Sequence, residues 1–153
     1  MAENIQYPSQ LPPPLQDSYG LTTADPKLST TLVTGRVRER RRFTTVPTTV
    51  SVRWNMDQTQ ASYFETWFRE ILVDGSLWFD APLKTPLGFE LYSCRIRGMY
   101  SGPTLVQVNR WEFTATLELK KRPMMPDGWV NFPDYWFNMN LVDLAVNREW
   151  PEA

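Results

Sequence analysis

The chain has 153 residues, 42% of them hydrophobic and 22% charged, which is enough apolar material to bury a core and argues against disorder throughout. Its net charge of −1 gives no global attraction to nucleic acid or anionic membrane. With no histidine in the chain, the Ser–His and Cys–His pairs of many nucleophilic enzymes are unavailable.

From Met1 to Gln10 there is no basic segment followed by an apolar one, and nowhere do 18 apolar residues run together. No secretory signal or membrane span is expected, and the protein is expected to be soluble and made in a cytoplasm. Residues 1–28 hold five of the thirteen prolines, including the run Pro12, Pro13 and Pro14. Such a composition favours polyproline II and predicts an extended arm. Tyr7, Leu11, Leu15, Tyr19 and Leu21 recur along it. A pure spacer has no use for apolar anchors, so the arm is expected to lie against another surface.

A globular, strand-rich domain is expected over residues 29–122. Thr30 to Val33 and Arg36 to Val46 read as two strands about a turn at Gly35. In Thr49 to Met56 the residues Val50, Val52, Trp54 and Met56 alternate with polar ones, the period of a half-buried strand. Asp57 and Gln60 then form a capping-box signature, opening a helix over residues 58–73. Its apolar face would carry Ala61, Phe64, Trp67, Phe68, Ile71 and Leu72, with Gly75 as the C-terminal cap. Ser76 to Phe79 resumes strand character, Pro82 to Gly88 reads as a loop, and Phe89 to Tyr100 as a strand ending in a Ser101-Gly102-Pro103 turn. Leu105 to Lys120 alternates throughout and would span about 50 Å as one strand, so it is either bent or the first part of it belongs to a projecting hairpin. Residues 123–153 begin with Pro123 and Pro126 and continue as an aromatic-rich arm, with a short helix expected from about Asp134 to Asn147.

The fold class expected is α+β: a twisted antiparallel sheet, or a small barrel or sandwich, with one packed amphipathic helix and extended terminal arms. Cys94, the single cysteine, is expected in its core as a small hydrophobe.

Chemistry-bearing patterns are scarce. No Cys/His metal grouping and no glycine-rich phosphate loop occurs, and Glu65 and Glu70 on the helix read as a solvated face. No catalytic, cofactor-binding or metal-binding residue is assigned, no cofactor or small-molecule substrate is expected, and the protein does not read as an enzyme. Two interface candidates stand out. Arg36, Arg38, Arg40 and Arg42 would share one face of an extended strand. That stripe suits carboxylates of a neighbouring subunit, a charge-guarded sheet edge, or phosphates contacted without regard to sequence. Trp129, Phe132, Trp136 and Phe137 could form a helix packed back on its own sheet or an arm docked on a neighbour. Tyr7 and Tyr19 are the corresponding anchors in the N-terminal arm.

The succession Arg38, Arg40, Phe43, then Val50-x-Val52-x-Trp54-x-Met56, Phe64-x-x-Trp67, Gly75-x-x-Trp78-Phe79, Pro82-Leu83 with Gly88, Arg95, and Trp111-x-x-x-Ala115-Thr116-Leu117-Glu118 resembles a family of small tail or baseplate structural proteins of tailed proteobacterial bacteriophages. The likeness covers roughly residues 29–122. It implies a virion structural role near the tail tube or baseplate, a homo-oligomeric ring, and other tail proteins as partners, with assembly in the host cytoplasm. It transfers no catalytic residue. A head-tail joining or DNA-channel protein, with the arginine stripe facing the genome, is the alternative.

Overall fold

The computed structural model describes residues 5–17, 19–139 and 141 and divides the chain into two compact units, Met1–Pro123 and Met124–Ala153. At the centre of the first unit is the alternating strand β5 (Thr48–Met56), whose residues Thr48, Val50, Val52, Trp54 and Met56 all point inward and are buried. Along its whole length it pairs with antiparallel β9 (Arg110–Leu119), which contributes Phe113, Ala115, Leu117 and Leu119 to the same inner face. With β1 (Ile5–Gln6), β2 (Gly20–Thr23), β6 (Phe79–Thr85), β7 (Gly88–Ile96) and β8 (Ser101–Gln107), these form a seven-stranded sheet in the order β1-β6-β7-β9-β5-β2, with β8 also paired to β9. Every pairing in it is antiparallel except β1 with β6.

Helix α1 (Gln58–Glu70) starts where the capping box places it. Gln60 N–H donates to Asp57 Oδ1 at 2.8 Å, and Asp57 N–H donates to Gln60 Oε1 at 3.2 Å. Its buried residues Ala61, Phe64, Trp67 and Phe68 cover the inner face of the sheet, with Phe64 5.0 Å from Phe113 and Trp67 5.3 Å from Phe79 between ring centroids. Cys94 lies in that core, fully buried as expected. The fold is therefore α+β, a mostly β protein with one main helix.

Several expectations are corrected. The sheet does not close into a barrel. Within residues 1–28, β1 pairs with β6, β2 pairs with β5, and Leu11 is buried in the core, so these described parts of the segment pack on their own unit. The anchors thus cover the surface of their own unit, since burying Tyr7 and Leu11 locally removes apolar area from water at once. Ile71 is exposed, because the helix ends at Glu70 and the chain turns before Leu72 drops into the core. The left-handed closure falls on Val73 (φ 49°) and Asp74 (φ 53°) as well as Gly75 (φ 83°), with Asp74 N–H donating to the Phe68 carbonyl at 3.1 Å.

Residues 76–78 belong to that turn rather than to a strand. Pro82 lies inside β6, not in a loop. It sits past the end of β1, and Asp80, two residues earlier, already directs its carbonyl outward to Tyr7 N–H at 2.9 Å. At that outer edge a missing N–H breaks no ladder bond. The long alternating run is two strands, β8 and β9, reversed at Val108 and Asn109, with Gly102 and Pro103 inside β8 at a register shift.

The second unit holds a 3-10 turn (Trp129–Asn131) and α2 (Pro133–Phe137). This helix begins on proline at its first position. It covers the first part of the expected span, helical residues recur at Met139 and Leu141, and residues 140 and 142–147 of that span lie outside the described residues.

Candidate interaction surfaces

The arginine stripe stands on a second, separate sheet: an antiparallel ribbon of β3 (Lys27–Thr31) and β4 (Val37–Arg41). Its first strand is displaced toward the N-terminus from the expected Thr30 to Val33, and its second is shorter than the expected Arg36 to Val46. Asp25 Oδ1 accepts from Lys27 N–H at 2.9 Å, and the Pro26 carbonyl accepts from Arg42 N–H at 2.8 Å, fixing the base of the ribbon. Gly35 (φ 78°) closes its tip, where Leu32 N–H donates to the Arg36 carbonyl at 2.9 Å. Every residue from Ser29 to Thr45 is exposed.

The register sorts the charges onto two faces. Arg38 lies opposite Thr30 and Arg40 opposite Leu28, so these side chains share a face, and Arg36 and Arg42 fall on it by alternation. On the other face Lys27 pairs with Glu39 at 3.1 Å, and that pairing holds the lysine pKa above its usual value. Arg41, also on that face, donates to the Phe43 carbonyl at 3.0 Å and the Thr44 carbonyl at 2.8 Å. There the lysine's charge is matched by Glu39 and the Arg41 guanidinium is held by backbone carbonyls. Among the described residues Arg36, Arg38 and Arg40 have no ion pair, and Arg42 rests over the Phe43 ring at 5.3 Å.

Tyr7 and Tyr19 are engaged within their own unit. The Tyr7 ring meets Trp67 edge-on, and its hydroxyl donates to the Pro12 carbonyl at 2.7 Å. Burial pushes the Tyr7 phenol pKa well up, with the Trp54 indole working the other way. Tyr19 donates to the Lys84 carbonyl at 2.8 Å, and its pKa is likewise raised, chiefly by burial. That hydrogen bond bridges the gap where the sheet fails to close. A cleft of about 650 Å³ lies there, lined by residues including Pro13, Leu15, Tyr19, Leu21, Pro82 and Phe89. Proline spacing gave no hint of it, because it forms between segments more than 60 residues apart.

The aromatic candidates of the second unit divide in two. Trp129 and Trp136 half-bury each other, with ring centroids 5.9 Å apart, while Phe132 is 63% exposed and Phe137 81% exposed. Val130, Tyr135 and Leu141 are exposed as well.

Sequence reasoning missed the ion pairs on the outer face of the main sheet. Arg53 of β5 reaches Asp17 at 2.9 Å and Glu112 at 3.6 Å, and Arg95 of β7 reaches Glu118 at 3.2 Å. Opposite signs at outward positions of strands that could neighbour one another were the available signal.

Among the described residues no helix is long and apolar enough to cross a membrane, and no three His, Cys, Asp or Glu side chains group as metal ligands. No protein-family model, curated protein or solved structure matches the chain.

Proposed function

We propose that the protein is a structural subunit of a tailed bacteriophage virion, a component of the tail tube's vicinity or of the baseplate, that joins neighbouring subunits in a ring. One observation carries the joining role. The second unit exposes Val130, Phe132, Tyr135, Phe137 and Leu141 within a dozen residues, while its two tryptophans brace one another. Apolar side chains concentrated in this way mark a surface that another protein covers, and aromatic residues are the ones that dominate buried interface centres. The resemblance of residues 29–122 to small tail proteins supports the setting. The bridging role falls to the C-terminal arm and not to the N-terminal segment, whose anchors are engaged in their own unit.

A chain truncated after Pro123 tests the reading. It is expected to stay soluble and folded, by circular dichroism, and to fail to enter particles, while the full chain appears in image reconstructions of the tail. Incorporation of the truncated chain at the full chain's copy number would count against the joining role. Absence of the full chain from purified tails would count against the virion assignment. A second reading, a head-tail joining subunit with arginines facing the genome, is favoured by the unmatched charge on the β3–β4 ribbon.

A further inference from the structure

We infer that one face of the β3–β4 ribbon, carrying Arg36, Arg38, Arg40 and Arg42, is a binding site for the phosphodiester backbone of nucleic acid, engaged without regard to base sequence. The site stands on its own residues and does not depend on where the protein sits in a particle.

The charge distribution comes first. Residues 27–42 hold six basic side chains against the single acid Glu39, in a chain whose total is −1, so the remainder is acidic. Nucleic acid would be repelled by most of the molecule and drawn to this ribbon. A local field of one sign steers a polyanion in this way even when net charge is near zero.

Face segregation comes second. Glu39 and Arg41 are the two charges that could complicate the stripe, and both lie on the opposite face, one paired with Lys27 and the other bound to backbone carbonyls. What remains on the stripe is a row of guanidinia on alternate residues, about 7 Å apart along a strand. That interval is close to the spacing of successive phosphates along a nucleic-acid strand. A guanidinium binds phosphate by two parallel N–H···O bonds, and a two-stranded ribbon is narrow enough to follow a groove or lie along a backbone.

A carboxylate-bearing partner fits less well, and a second copy of this chain least of all. Among its described acids, Glu70 is paired with Arg69, Asp17 and Glu112 with Arg53, and Glu118 with Arg95, while Asp74, Glu90, Asp127 and Asp134, which have no ion pair, lie on different elements. No row of four free carboxylates is on offer among the described residues to match the stripe. The one aromatic at the ribbon, Phe43, lies beneath Arg42, which leaves no platform on which a base could stack and points to phosphate rather than base recognition.

The test is fluorescence anisotropy of the full chain with labelled duplexes of unrelated sequence across a salt series. Four phosphate contacts predict a log–log salt slope of about −3.6, equal for every sequence. R38A/R40A should weaken binding at least tenfold at low salt and flatten the slope by about 2. R69A/K84A, which removes two exposed cations elsewhere, should change affinity less than twofold. R38K/R40K, which keeps the charge, should restore most of the binding lost in the alanine pair. Three results would each overturn the proposal: no binding by the full chain at low salt, equal weakening by both alanine pairs, or polyglutamate competing as well as DNA.

Discussion

Tyr7 meets Trp67 edge to face, ring centroids 5.9 Å apart and planes at 85°, so that the N-terminal segment is clasped to helix α1. Trp67 in turn stands edge-on to Phe79 at 5.3 Å, linking segment, helix and sheet through one indole. Truncating a buried tryptophan removes its transfer energy and leaves a cavity. Trp67→Ala is therefore expected to destabilise the protein by about 3–5 kcal/mol. Tyr7→Phe keeps the ring contact and deletes the hydroxyl's bond to Pro12, with an expected cost of about 0.5–1.5 kcal/mol. Denaturant midpoints check both, and a loss under about 1 kcal/mol for the tryptophan would mean that the helix face is wrongly assigned.

The turn after α1 predicts two substitutions of opposite sign. Val73 adopts φ 49°, a left-handed conformation that costs a β-branched residue about 1–2 kcal/mol. Val73→Gly relieves it and exposes no core, since the side chain is 52% exposed. After the added entropy of glycine in the unfolded chain, a net gain of about 0.5–1 kcal/mol is expected. Gly75→Ala goes the other way. It puts a side chain at φ 83° and a Cβ 3.1 Å from Phe68 Cε2, against a ring that is fully packed. Thermal unfolding of the two variants should move the midpoint up and down respectively.

What was legible in the sequence was what is decided locally. The β5 alternation and the Asp57–Gln60 box each depend on neighbours within four residues, and both stand as read. The arginine face follows from period two alone and is kept by the ribbon's register. What was not legible depends on partners far along the chain. Proline-rich composition describes how residues 8–14 solvate their backbone but not that Leu11 has a core pocket to fill. Val108 and Asn109 include neither glycine nor proline, and alternation continues through them, so Asn109 alone, a turn-favouring residue, marks the reversal between β8 and β9. Pro82 reads as a loop until the outer edge of β6 is known.

Burial of Cys94 predicts a loss of stability in alkali. Desolvation, helped by the Asp80 carboxylate, pushes its thiol pKa up to about 12, against an ordinary thiol value of roughly 8.5–9 in the unfolded chain. Between these values the unfolded chain releases a proton that the folded chain retains, so this stability is fully present below about pH 8.5 and declines as pH rises toward 12. The thiol alone contributes a slope of at most about 1.4 kcal/mol per pH unit in that window. Tyr7 and Tyr19, both raised by burial, add to it above about pH 10. Denaturant titrations at pH 7 and pH 10.5 should show the decline, and Cys94→Ala should make it shallower although its stability at pH 7 is lower. At pH 8 the native thiol should resist alkylation that proceeds readily in denaturant.

Gly102 holds the start of β8 against β9 at a distance that admits no side chain. A Cβ there would stand 2.6 Å from the Glu112 carbonyl oxygen, and φ is 114°, outside what other residues adopt comfortably. Since the obstacle is backbone of the central strand, it cannot swing aside as a flexible side chain could. Gly102→Ala must then shift β8 away from β9. Residues 101–110 are all exposed and bury none of the core, so the damage should stay at that edge while α1, β5 and the inner face of β9 remain packed. Hydrogen exchange is the measurement that separates the two: amides pairing β8 with β9 should lose protection by tenfold or more, while amides pairing β5 with β9 keep theirs. Uniform loss across both ladders would mean that β8 is integral to the core and not an edge laid upon it.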